Sequence, residues 1–173
     1  MIERVQQKEK CGCTIAAVAM IVGKSYDEVR SMSTRDFDET SGGVQIEDWL
    51  DYLFEQGFVA HRLWKVTHLQ GVNTPRPCWP PEPFAPLHIC SVRTSAGGHA
   101  VVMLSDGKVL DPYTADRDNL SCYESVSAVY GMFYIGNISI DEWYRARRTQ
   151  NVVNGWDCAN RVLAMRRNEK AGN

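Results

Sequence analysis

Residues 13 to 22, Cys-Thr-Ile-Ala-Ala-Val-Ala-Met-Ile-Val, are apolar nearly all round. A segment of that kind has no face to give to water, so it predicts a helix buried inside the molecule. The rest of the chain must then be layered around it. The segment opens on a cysteine, Cys13. A helix N-terminus presents unpaired N–H groups and a partial positive charge, and both favour thiolate over thiol. A glutamine, Gln7, stands six residues before that cysteine.

The surrounding pattern predicts an α+β chain. Gly23 is a natural helix stop, and Ser25 can cap a short second helix with Asp27 and Glu28 in its first turn. Residues 33–43 are polar and read as a loop. Ile46, Trp49, Leu50, Leu53 and Phe54 keep helical spacing and predict a third helix from about Gln45 to Gln56. Strands are predicted over 58–66, 87–93, 99–105, 108–110 and 132–138, with Asp106-Gly107 as a hairpin turn. Residues 113–128 carry no clear pattern. Between the first two strands, Pro75, Pro77, Pro80, Pro81, Pro83 and Pro86 crowd into 67–86. That much proline excludes regular structure and suggests a binding loop, with Trp79 and Phe84 as groove walls or core cover.

From Ser139 onward the pattern turns helical again, and the stretch 139–173 is mildly basic. The expected organisation is one domain over 1–138 followed by a C-terminal helical extension over 139–173. The extension is a candidate contact for a protein partner. A length of 173 residues suits a single domain with a sizeable core. A net charge of −2 makes nucleic acid an unlikely partner. No apolar run is long enough to predict a membrane span. The first residues lack the apolar core of a secretory signal. The six cysteines (11, 13, 78, 90, 122, 158) lack regular spacing. They are expected to be free thiols in a cytoplasmic protein.

Attack of sulfur on an amide carbonyl needs a thiolate, a base, an orienter for the base, and donors for the oxyanion. Cys13 is the candidate nucleophile. His99 follows Gly97-Gly98 and starts a strand, so its ring can face a cleft. The hairpin through Asp106-Gly107 returns the chain to Asp111, which places the two residues at the same end of paired strands. Asp111 is therefore the candidate orienter. Gln7 and the Cys13 backbone N–H are the candidate oxyanion donors. No metal or organic cofactor is needed for this chemistry, and the substrate would be a peptide or protein.

Gln7-x5-Cys13, the following Ala16-Ala17-Val18-Ala19-Met20, Gly98-His99-Ala-Val-Val and Val109-Leu110-Asp111-Pro112 together resemble the papain-like bacteriocin-processing peptidases. That family removes double-glycine leader peptides, often as the N-terminal domain of an export transporter. The resemblance spans roughly residues 5–138. It implies a helical N-terminal half packed on an antiparallel sheet, with the active site between them. Two features depart from the family pattern. Gly12 and Thr14 flank the nucleophile where an acidic residue and glycine are usual, and a C-terminal helical tail is expected after the domain in place of a transporter.

Other readings accompany this one. Cys11-Gly12 offers Cys11 as an alternative nucleophile, at a shorter distance from Gln7. A cysteine beside alanines is often only a small core residue. Cys11 and Cys13 with Cys78 and Cys90 could form a zinc site, or the first two a redox pair, though neither spacing is the usual one. His61, His68 and His88 read as structural or surface residues. Gly97 and Gly98 read either as room for a substrate main chain or as plain loop glycines. The fold could also serve an inactive binding or inhibitory protein, or a deamidase or transglutaminase.

Overall fold

The computed structural model describes residues 2–32, 44–65 and 85–136, with the backbone alone at 61 and 63–65. The expected loop at 33–43, most of the proline-rich stretch at 67–86 and the helical extension at 139–173 lie outside the described residues.

Helix α1 runs Cys13–Val22, and every residue from Thr14 to Ile21 is buried. Gly23 closes it in the left-handed conformation, φ 70°, with the cap N–H returning to the Ala19 carbonyl. Helix α2, Tyr26–Met32, begins with a capping exchange. The Glu28 carboxylate accepts from the Ser25 backbone N–H at 2.8 Å, and the Glu28 N–H donates back to the Ser25 hydroxyl at 3.3 Å. The expected third helix is split. Ile46–Trp49 form a 3₁₀ turn, and α3 proper is Leu50–Glu55. Gln45 and Asp48 close a capping box over that turn, so its first residues are wound tightly by local polar bonds.

Five strands form one antiparallel sheet: β1 Phe58–Lys65, β2 Leu87–Thr94, β3 Gly97–Leu104, β4 Val109–Leu110 and β5 Ser125–Tyr134. Their order across the sheet is β1-β5-β2-β3-β4. The last strand thus inserts between the first two. It begins at Ser125, well before the expected 132. The reason is visible in its side chains. Ala128, Tyr130 and Met132 face one core and Val129 the other, while Ser125, Ser127 and Gly131 hide the alternation in sequence.

Both faces of the sheet carry a core. On one, Ile89, Ala100, Val102, Leu110, Ala128, Tyr130 and Met132 pack with α1, α2 and α3. Ala16, Ala17 and Ala19 are fully buried, and such short side chains let the α1 backbone approach the strands closely. On the other, Cys90, Val92, Val101, Met103, Val109 and Val129 pack with Tyr123. Each fully buried branched residue contributes about 1.5–3 kcal/mol. The fold is therefore α+β, with helices on an antiparallel sheet.

Gly12 has a steric role just before α1. A Cβ there would meet the Tyr26 hydroxyl at 2.0 Å. Tyr26 in turn donates to Glu9 at 3.1 Å, and Glu9 pairs with Arg30 at 3.2 Å. These contacts fix the approach of the chain to the helix N-terminus.

His88 is buried on β2, 1% exposed, and burial holds its imidazole below the ordinary 6.5. The unfolded chain therefore takes up a proton below pH 6.5 that the folded chain refuses. Stability is expected to fall with acidification through that window, by up to about 1.4 kcal/mol per pH unit. His99, whose pKa is raised on folding to about 9, stabilises increasingly as pH falls toward 6.5 and opposes the His88 trend there, but it adds little slope once the unfolded ring is also protonated, below about pH 6. Urea midpoints between pH 6 and pH 5 should decline for the wild type and flatten in His88→Gln.

Candidate active site

Cys13 is the first residue of α1, so its backbone N–H is among those with no acceptor inside the helix. Its side chain is half-buried and stands beside β3, close enough to the His99 ring and the Ala100 backbone for both to act on the sulfur. Burial opposes ionisation of this thiol and is the largest single influence on it. The His99 hydrogen bond and positive charge, with the Ala100 contact, outweigh it and set the pKa below its usual value. Thr14 also stands within reach of the sulfur, but its one hydroxyl proton goes to the Val44 carbonyl at 2.7 Å. His99 and Ala100 are therefore the groups that favour ionisation of the sulfur.

The β3–β4 hairpin supplies the other half of the site. Val102 pairs with Leu110 and Met103 with Val109. Continuing that register sets Asp111 diagonal to His99 on one face, which is the reach of a cross-strand side-chain contact. His99 Nε2 lies 2.7 Å from Asp111 Oδ1. This leaves Nδ1 as the ring nitrogen for Cys13. The two side chains are 10% and 0% exposed, so the pair is held away from water. For His99, burial favours the neutral ring, but the hydrogen bonds to Asp111 and Cys13 and their negative charges dominate and raise it to about 9. For Asp111, burial favours the acid form, but hydrogen bonds from His99, the Tyr113 N–H and Tyr123 pull it down to about 2.

Asp111 is satisfied on every side. Oδ1 also accepts from the Tyr113 N–H at 2.7 Å, and Oδ2 accepts from the Tyr123 hydroxyl at 2.8 Å. Arg117 stands 3.7 Å from Oδ2. The Asp111 carbonyl accepts from Arg4 Nε at 2.6 Å, and the next carbonyl, that of Pro112, accepts from the Gln7 N–H at 3.0 Å. The N-terminal segment is thereby strapped to the strand end that carries the carboxylate.

Gln7 sits on this strap, but its side chain differs from the expectation of a free oxyanion donor. The Nε2 group donates to the carbonyls of Glu9 at 3.1 Å and Lys10 at 3.3 Å. Its Oε1 is buried with no hydrogen-bond partner among the described residues. One of those donations must be released before Gln7 can serve an oxyanion. Cys11 lies in the turn before α1, and the sulfur that meets His99 is that of Cys13. Cys90 is fully buried in the second core, which pushes its thiol up to about 12. Among the described residues, no group of three His, Cys, Asp or Glu could hold a metal ion.

Spacing alone brings out Cys13, His99 and Asp111. Arg4, Arg117 and Tyr123 went unseen. Two of them fall in the stretch 113–128, where no periodicity marks them, and each acts only through its contact with Asp111. A scan against protein-family models and a search of curated proteins find no match to this chain. The site is therefore argued from its geometry. Among the described residues, no helix is long and apolar enough to cross a membrane.

If the thiolate depends on His99, Cys13 should alkylate near pH 6 at least tenfold faster than Cys11 or Cys122. His99→Ala should erase that advantage. Iodoacetamide labelling mapped to each cysteine by mass spectrometry checks this.

Proposed function

We propose that this chain is a papain-like cysteine peptidase that hydrolyses amide bonds in a peptide or protein. The observation that carries the reading is the buried His99–Asp111 pair, 2.7 Å apart on a strand hairpin, set beside the Cys13 thiol at a helix N-terminus, whose ionisation the His99 ring favours. In the resting site the proton sits on His99 and the charge on sulfur. The Cys13 thiolate attacks the substrate carbonyl carbon and forms a C–S bond, and the carbonyl π electrons move to oxygen. The oxyanion is met by the Cys13 backbone N–H, and by Gln7 once its amide turns from Glu9 and Lys10. The intermediate collapses, the C–N bond breaks, and His99 gives its proton to the departing amine. Water then loses a proton to His99 as it attacks the thioester. The acid leaves and the thiolate returns. Asp111 keeps the His99 ring oriented throughout, in both its neutral and its protonated form, without itself accepting a proton.

Gly98 supports an extended substrate. Its φ is unexceptional and a Cβ placed on it meets none of the described residues within 4 Å, so they impose no glycine beside His99. The open space there fits a main chain lying along the strand end.

A second reading is a binding or inhibitory protein on the same fold. The engagement of Gln7 with the Glu9 and Lys10 carbonyls favours it, since no side-chain oxyanion donor is then in place. A deamidase would use the same attack but act on a side-chain amide.

The test is incubation with a denatured proteome or a peptide library, followed by labelling of new N-termini. New termini should appear with wild type and vanish with Cys13→Ala and with His99→Ala. Full cleavage by Cys13→Ala would overturn the mechanism. Binding that survives Cys13→Ala, without cleavage by wild type, selects the second reading. An intact substrate with ammonia released selects deamidation. Gly98→Val should cut peptide turnover at least tenfold while leaving iodoacetamide labelling of Cys13 unchanged.

A further inference from the structure

We propose that Tyr123 and Arg117 are positioning residues that act through Asp111, drawing charge onto its outer oxygen and so setting how tightly the carboxylate holds the His99 imidazolium. The inference rests on the reading of Cys13, His99 and Asp111 as a working site.

The two carboxylate oxygens have different tasks. Oδ1 faces His99 Nε2 and the Tyr113 N–H, both at 2.7 Å. These two contacts already fix the direction of the carboxylate. Oδ2 faces away from His99. It takes the Tyr123 hydroxyl at 2.8 Å in a buried contact, and the Arg117 guanidinium at 3.7 Å. The two partners are joined to each other, since Arg117 lies over the Tyr123 ring at 5.7 Å. A donor and a cation on Oδ2 withdraw charge from the same group that Oδ1 offers to the imidazolium. Such contacts are stronger where water is excluded, and Asp111 is 1% exposed.

The charged and titratable groups around the pair come from every neighbouring element. Cys13 comes from α1, Arg4 from the N-terminal strap, and Arg117, Tyr123 and Cys122 from the segment after β4. Arg4 binds the Asp111 main-chain carbonyl and not the carboxylate. Only Tyr123 and Arg117 touch Oδ2 among the described residues. Asp111 is held near 2, so it stays ionised at neutral pH even after losing one donor. Removing the Tyr123 hydroxyl therefore leaves a full charge with fewer claims on it. The imidazolium is then held more tightly.

The experiment is the pH profile of iodoacetamide labelling at Cys13, from pH 4 to pH 10, in the full chain. A wild-type ion pair gives two inflections, the upper one where His99 loses its proton. Tyr123→Phe keeps the ring in the second core and should move the upper inflection up by about half a pH unit, roughly a threefold change in imidazole protonation. Arg117→Met at the rim should move it the same way, and Arg117→Lys should restore it. A merely structural role would lower urea midpoints and leave both inflections in place. A wild-type profile with one inflection near that of a free thiol, about 8.5, removes the site reading on which the inference stands. Two wild-type inflections with unmoved or downward-shifted upper inflections in both Tyr123→Phe and Arg117→Met overturn the inference alone.

Discussion

A carboxylate buried to 1% exposure constrains everything around it. Left without partners, a charge in that position costs several kcal/mol. Asp111 avoids this because four separate parts of the chain converge on it. The β3 strand brings His99, the turn after β4 brings the Tyr113 N–H, the segment beyond brings Arg117 and Tyr123, and the N-terminal strap brings Arg4 to its carbonyl. Displacing any of the first three takes a partner from the charge, and displacing Arg4 frees the carbonyl of the same residue. The demand for compensation therefore builds the wall of the candidate site.

The second constraint is the burial of α1. An apolar helix surrounded on all sides must sit against the sheet, and its N-terminus must emerge at an edge of that contact. Gly12 allows Tyr26 to close over the entry, and Thr14 ties the first turn to Val44. Cys13 is left between the helix end and β3, half-exposed, with a base on one side. The charge distribution follows from this placement. A negative carboxylate holds a positive ring, and the ring favours ionisation of the sulfur. Each member stabilises its neighbour against the desolvation that burial imposes.

Much of this was legible in the residues and some was not. The β3–β4 turn at Asp106-Gly107 fixed the return of the chain, so the closeness of His99 and Asp111 follows from counting along two strands. The buried helix was plain because no polar stripe interrupts it. The early start of β5 was hidden by serines and a glycine, whose exposure carries no periodicity. Its insertion between β1 and β2 is a tertiary choice that local pattern does not encode. Tyr123 and Arg117 escaped because a residue that acts through one hydrogen bond or ion pair leaves no spacing signature. The six-residue spacing of Gln7 from Cys13 says nothing of where its amide turns, and it turns toward the Glu9 and Lys10 carbonyls, which compete locally for the same donors.

The central claim is that Cys13 forms a covalent acyl intermediate with the help of His99. The most direct measurement is intact-protein mass spectrometry of samples acid-quenched during reaction with an activated acyl ester, with the adduct mapped by digestion. The account predicts a single acyl mass on Cys13 that decays on longer incubation, and its absence in His99→Ala. No adduct at all, or acyl groups spread evenly over Cys11, Cys13 and Cys122, would contradict it.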